Sequence, residues 1–114
     1  CDTGPAPFYR ELGKKFGPID LGFGNLGAYN FYPLVPVKDK STAHANPEEL
    51  LSLMKDLEVK KVIGMHWGTA ILSLEPIWEP PVRFKENAEK FGYEKDEAIL
   101  FKIGEIKKLK DLIN

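Results

Sequence analysis

Val59-Lys60-Lys61-Val62-Ile63-Gly64-Met65, followed at once by His66-Trp67-Gly68-Thr69, is the stretch on which the fold turns. The first seven residues are short and mostly apolar, the pattern of a strand. The next four form a sharp, glycine-containing turn that can hold an imidazole towards a cleft. In layered α/β proteins, functional groups collect just past the C-terminal ends of strands. His66 stands at such a point.

Upstream of this strand, Asn46-Pro47-Glu48-Glu49 marks a helix start. Asn46 can cap, Pro47 suits the first helical position, and Glu49 can reach back as a capping-box partner. Leu50, Leu53, Met54 and Leu57 supply that helix with a buried stripe. Further upstream, Asp2-Thr3-Gly4-Pro5 is a turn by composition. Helical spacing then runs from Ala6 to Phe16, with Phe8, Leu12 and Phe16 on one face and Arg10, Glu11, Lys14 and Lys15 on the other. Gly17-Pro18 stops this helix, and Ile19 to Gly24 reads as a buried strand with close backbone approach. Asn25 to Ala45 is a long irregular connection, of the length more often functional than idle.

Downstream, Glu79-Pro80-Pro81 reads as a rigid turn, and Val82 to Phe91 as a third helix with Phe84, Ala88 and Phe91 on one face and Gly92 as its stop. Ala98 to Ile103 is a strand, followed either by a hairpin strand around Ile106 or by a short Lys-rich helix. Helix and strand alternate three times, which predicts α/β layering. Asp2 and His66 then each fall just past a strand end, with the first of those strands lying ahead of Cys1. A chain that opens on such residues without an initiator Met is expected to lack a strand upstream.

The bulk composition narrows the partners. With 114 residues the chain suits one domain with a modest core. Sixteen basic and seventeen acidic residues leave a net charge of −1, so nothing electrostatic favours nucleic acid or an anionic membrane. The single cysteine, Cys1, cannot form an intrachain disulfide, and no apolar run reaches the length of a membrane span. A soluble cytoplasmic protein with no transmembrane segment is the expectation.

Two histidines exist, His44 and His66. Neutral imidazole and carboxylate are both good zinc ligands, but one His and one Asp are too few for a zinc site, which takes at least three protein ligands. Glu48 and Glu49 complement a helix dipole, and Glu75 and Glu79 read as turn residues beside proline. Tyr29, Phe31 and Tyr32 read as packing under a loop, with a lipid or acyl pocket as the alternative.

Taken in order, Asp2-Thr3-Gly4, Gly27-Ala28-Tyr29, His44-Ala45-Asn46-Pro47-Glu48-Glu49, His66-Trp67-Gly68-Thr69 and Glu79-Pro80-Pro81 span the whole chain. The series resembles the C-terminal half of the metallo-β-lactamase superfamily, near its N-acyl-phosphatidylethanolamine-hydrolysing phospholipase D branch. The resemblance implies half of an αββα sandwich, a mixed sheet with packed helices, from a binuclear zinc hydrolase acting on a phosphodiester or related ester. It implies that Asp2 bridges two zinc ions, that His66 ligates the second zinc, and that His44 lies beside the metals and acts on the substrate. Asp2 and His44 are thereby the candidate catalytic residues, and Asp2 and His66 the candidate metal ligands.

Three departures stand beside these matches. The family's HxHxDH motif and a further His are not in this sequence, so the 114 residues alone are expected to be inactive and not to retain zinc. Asn30-Phe31-Tyr32-Pro33 replaces a Pro-Arg segment, and the loop to His44 is longer. Cys1 stands where the family commonly has Gly, and is expected to be a spectator. Half of a two-sheet fold exposes apolar sheet surface, so the expected partner is the missing N-terminal half or, failing it, a homo-oligomer. A competing reading takes Asp-Thr-Gly as the signature of an aspartic protease, which requires a nearly all-β chain.

Overall fold

The computed structural model describes residues 2–36 and 43–113. The Cys1 thiol and the charged part of the long connection lie outside the described residues. The elements run α1 (Phe8–Phe16), β1 (Ile19–Asn25), α2 (Pro47–Asp56), β2 (Val59–Met65), α3 (Glu79–Asn87), β3 (Ala98–Leu100) and α4 (Leu109–Ile113), with one 3-10 turn at Glu89–Phe91. The expected alternation is present. Four α-helices among the described residues also remove the basis for an all-β aspartic protease.

The three strands are parallel and lie in the order β1-β2-β3. Ile19 pairs with Val59 and Asn25 with Met65, so β1 and β2 end level with one another. Their following loops therefore leave from the same edge. Val62 to Gly64 pair with Ala98 to Leu100, where a longer strand to Ile103 is expected. Around Ile106 the chain takes the helical alternative, α4, rather than a hairpin strand.

One face of the sheet carries the core. Leu50, Leu51 and Met54 of α2, Phe84 of α3, Tyr93 and Val62 are all buried there. Gly24 makes the contact between α2 and β1 possible: a Cβ on it would stand 2.1 Å from Leu50 Cδ1. The capping box of α2 forms as its sequence predicts, with Asn46 Oδ1 accepting from the Glu49 amide at 2.8 Å and Glu49 Oε2 accepting from the Asn46 amide at 3.0 Å. Tyr93 closes the far side, its hydroxyl donating to the Val59 carbonyl at 3.0 Å.

Two helices differ from their sequence reading. The apolar stripe of α1 faces outward, with Phe8 51 %, Leu12 38 % and Phe16 62 % exposed. Its buried residue is Gly13, where a Cβ would meet the Asp56 carbonyl oxygen at 2.1 Å. A close backbone approach thus chose the packed face, over the more apolar one. In α3, Glu79-Pro80-Pro81 is the first helical turn rather than a separate rigid turn. Proline suits that position because its missing N–H would have no helical partner there. The helix gives way to the 3-10 turn after Asn87, and Gly92 ends it at φ 76°.

The opposite sheet face is open only in part, since Ile63, the register partner of Phe23, is 4 % exposed. Phe23 is 59 % exposed there, and it lines an apolar groove with Ile63, Met65, Phe101 and Ile103. Among the described residues no helix is long and apolar enough to cross a membrane.

Candidate metal centre

The level ends of β1 and β2 place three loops side by side. His66 directly follows β2 and adopts φ 62°, a left-handed conformation uncommon outside glycine. That reversal turns the imidazole out of the strand direction. Its main chain is held by β1's exit: the Leu26 amide donates to the Met65 carbonyl at 2.8 Å and the Gly27 amide to the His66 carbonyl at 3.1 Å. His44 comes from the end of the long connection, two residues before the α2 cap, and Asp2 from the turn ahead of α1. These last two segments pair directly, the Ala45 amide donating to the Thr3 carbonyl at 2.8 Å.

The result joins residues that sequence separates by 42 and 22 positions. Asp2 Oδ1 lies 3.3 Å from His44 Nε2 and 3.2 Å from His66 Nε2. The ring centroids of the two histidines are 5.3 Å apart. One ligand atom from each of the three residues lies within 4.8 Å of the others. The longer loop leading to His44 has therefore not displaced it from the cluster. The imidazoles are largely covered, with side chains 17 % and 21 % exposed, while the Asp2 carboxylate is 70 % exposed. Solvent reaches the cluster from the carboxylate side.

The three donors form a group that could hold a metal ion, and zinc geometry is one against which their spacing can be compared. A tetrahedral shell with bonds of about 2.1 Å sets neighbouring donors about 3.4 Å apart. The two carboxylate–imidazole separations, 3.2 and 3.3 Å, are close to that spacing. His44 Nδ1 and His66 Nδ1 are buried without a hydrogen-bond partner among the described residues. Metal-bound imidazoles ordinarily donate that second N–H to an acceptor.

Two further residues shape the site, and both escaped sequence reasoning. Asn25, the fully buried last residue of β1, bonds to the Thr3 and Ala45 main chains. Glu75, read from its sequence as a turn residue, is the anchor of the loop after His66. Its Oε1 accepts from the Ala28 amide at 2.6 Å, and its Oε2 from the Asn30 amide at 3.0 Å and from the Ser73 hydroxyl. Ala28 has φ 67°, so Glu75 holds a strained residue in place. Burial pushes the Glu75 carboxyl up, but the Ser73 hydroxyl and the amides of Glu75, Asn30 and Ala28 outweigh it and lower it overall. A buried Asn25 and a left-handed Ala28 three residues later leave no signature in a single sequence.

Beside His66 lies a cavity of about 420 Å³ lined by Trp67, Ile71, Leu72, Leu74 and Ile77. Tyr29 is fully buried and donates to Glu79 Oε1 at 2.8 Å, and Tyr32 is 52 % exposed. Tyr29 is thus a packing residue, as its sequence reading favours. Glu79 and Glu48 both bind Arg83, at 3.1 and 2.7 Å, tying the start of α2 to α3. Burial opposes the Arg83 charge, but the hydrogen bonds and charge of Glu48, joined by Glu79, raise its pKa well above the usual guanidinium value.

No family model matches the chain. It is 48 % identical over 50 residues to the mitochondrial N-acyl-phosphatidylethanolamine-hydrolyzing phospholipase D of Saccharomyces cerevisiae, covering 44 % of this chain and 11 % of that protein. It is 33 % identical over 79 residues to N-acyl-phosphatidylethanolamine-hydrolyzing phospholipase D 1 of Caenorhabditis elegans, covering 68 % of this chain and 21 % of that one. The chain thus spans between a tenth and a quarter of the length of these relatives. Among solved structures, a metallo hydrolase from the archaeon Ignicoccus hospitalis superposes with a TM-score of 0.57 at 22 % identity, over 88 % of this chain and 34 % of that one. The shared fold and the similarity to these phospholipases agree with the ordered sequence blocks, and the chain belongs to the metallo-β-lactamase superfamily, matching its C-terminal half.

Proposed function

We propose that this chain contributes part of a binuclear zinc centre to a hydrolase of phosphodiesters or related esters. The convergence of Asp2 Oδ1, His44 Nε2 and His66 Nε2 carries the reading. Asp2 would be the bridging carboxylate, since its Oδ1 faces both imidazoles while its side chain stays 70 % exposed. His66 is an imidazole ligand whose orientation follows from its left-handed backbone. His44, equally close to Asp2, orients the substrate or delivers a proton to it, and its Nε2 is also placed to act as a third ligand. Zinc in such a donor set polarises a phosphoryl or carbonyl oxygen and lowers the pKa of a water it holds.

Three donors suffice to hold one ion but not two. The described residues by themselves are therefore inactive, and the remaining ligands come from another part of the fold. The partly open sheet face around Phe23 and Ile103 is the surface that this other part covers. The relatives' greater length supports that reading, since most of each lies outside the matched region. A second reading, a non-catalytic half-domain that self-associates through the same face, rests on the same exposed groove.

Calorimetric titration with Zn(II) tests the centre. Two ligands alone, as the sequence counts them, predict no retained zinc; with His44 as a third donor, one ion per chain is expected instead, with binding abolished by Asp2→Ala or His66→Ala and no hydrolysis of bis-p-nitrophenyl phosphate. Wild-type chain that takes up no zinc would sink the metal reading. Rapid turnover by these residues alone would sink the reading that further ligands are required.

A further inference from the structure

Asn25 is fully buried at the end of β1, where an apolar side chain would ordinarily pack. Its amide reaches two segments at once. Oδ1 accepts from the Thr3 amide at 3.0 Å, and Nδ2 donates to the Ala45 carbonyl at 3.4 Å. Thr3 follows Asp2 and Ala45 follows His44, and the two segments are bonded to each other through Ala45 N–H and the Thr3 carbonyl at 2.8 Å. The three groups form a closed ring of hydrogen bonds directly beneath the cluster.

Neither segment belongs to a helix or strand at these points, so no regular ladder sets their spacing. The Asn25 amide does so in its place. The same strand end fixes the third member, since the residues following Asn25 donate to the Met65 and His66 carbonyls. A buried amide with both sides engaged tolerates few alternative arrangements, because moving either partner leaves a polar atom unpaired. An apolar residue of similar size would fill the space without specifying the separation.

We infer that Asn25 is a positioning residue of the centre, its side-chain amide setting the distance between Asp2 and His44 and their common approach to His66. This rests on the reading of those three residues as a metal site. It concerns a residue outside the three donors, whose side-chain amide is engaged by main-chain groups.

The test compares wild type, Asn25→Leu and Val59→Ala, the last a core truncation at the opposite end of β2. Two readouts are taken on each: the nuclear Overhauser effect between the ring protons of His44 and His66 without metal, and Co(II) affinity from visible ligand-field absorption. Asn25→Leu is expected to lose the inter-ring effect and to bind Co(II) at least tenfold more weakly, while Val59→Ala keeps both. If Asn25→Leu retains the inter-ring effect and wild-type affinity, the inference is overturned. It is equally overturned if Val59→Ala loses both to the same extent, since general loosening would then explain the result. Wild type that binds no Co(II), with the inter-ring effect still depending on Asn25, defeats the metal reading and leaves the positioning role standing. Should Asn25→Leu fail to fold, Asn25→Asp keeps the acceptor for Thr3, loses the donor for Ala45, and is read in the same way.

Discussion

Replacing Glu75 by alanine removes one carboxylate and strands three donors: the Ala28 amide, the Asn30 amide and the Ser73 hydroxyl. Hydrogen bonds to a charged group contribute roughly 1.5–3 kcal/mol each. That range does not apply in full here. The carboxylate is only partly buried and lies at the wall of an open cavity, so water can reach the abandoned amides. The Ser73 hydroxyl can rotate to solvent at little cost. About 1 kcal/mol for each amide gives a loss of about 2 kcal/mol, and any relaxation of Ala28 from φ 67° works against that loss rather than adding to it. For a domain of this size that corresponds to a fall in Tm of roughly 8 °C. Glu75→Gln keeps one acceptor oxygen and should lose about half as much.

Urea denaturation measures the stability, and hydrogen exchange of the Ala28 and Asn30 amides localises it. The pH dependence supplies an independent check. The native Glu75 carboxyl titrates below its ordinary value, so the native state binds that proton less readily than the unfolded chain. The contribution is complete above the ordinary glutamate pKa of about 4.3 and disappears as pH falls through the lowered native value. Glu75→Gln should therefore show a flatter loss of stability below about pH 4.5 than wild type. A Glu75→Ala protein within about 0.5 kcal/mol of wild type, or Ala28 and Asn30 amides exchanging at unchanged rates, would refute the assignment of Glu75 as the anchor of this loop.

Other perturbations probe the layers around the site. Gly24→Val forces a branched side chain into the space filled by Leu50 Cδ1 and Met54 Cε, and should destabilise by about 1–3 kcal/mol or more in thermal unfolding. Tyr93→Phe leaves the buried Val59 carbonyl without its hydroxyl donor, at a cost of about 1 kcal/mol by urea titration, while the Lys55 ammonium 3.6 Å over the ring is kept. Phe23→Asp puts a charge into the open apolar groove, so light scattering should show less self-association than wild type with an unchanged circular dichroism spectrum. Equal association of the two proteins would show that the groove is not the contact surface.

Local patterns in the chain decided more of the fold than of the site. Asn46-Pro47-Glu48-Glu49 predicts its capped helix because cap chemistry is a matter of residues three positions apart. Val59 to Met65 predicts its strand for the same local reason, and the ordered blocks from Asp2-Thr3-Gly4 to Glu79-Pro80-Pro81 identify the family. Periodicity also shows that α1 is a helix. It does not show which face packs, because the deciding contact is the Asp56 carbonyl against Gly13, 43 positions earlier in the chain.

The assembly of the site is wholly tertiary. His44 and His66 are ligand-type residues in the sequence, but their spacing holds no metal motif. They meet Asp2 because β1 and β2 end level in parallel register, and because Asn25 and Glu75 tie three loops together through main-chain groups. Main-chain donors and acceptors are the same at every residue, so their partners leave no trace in residue identity. Residue types name what could bind a metal, and long-range hydrogen bonding decides which of them come within reach of one ion.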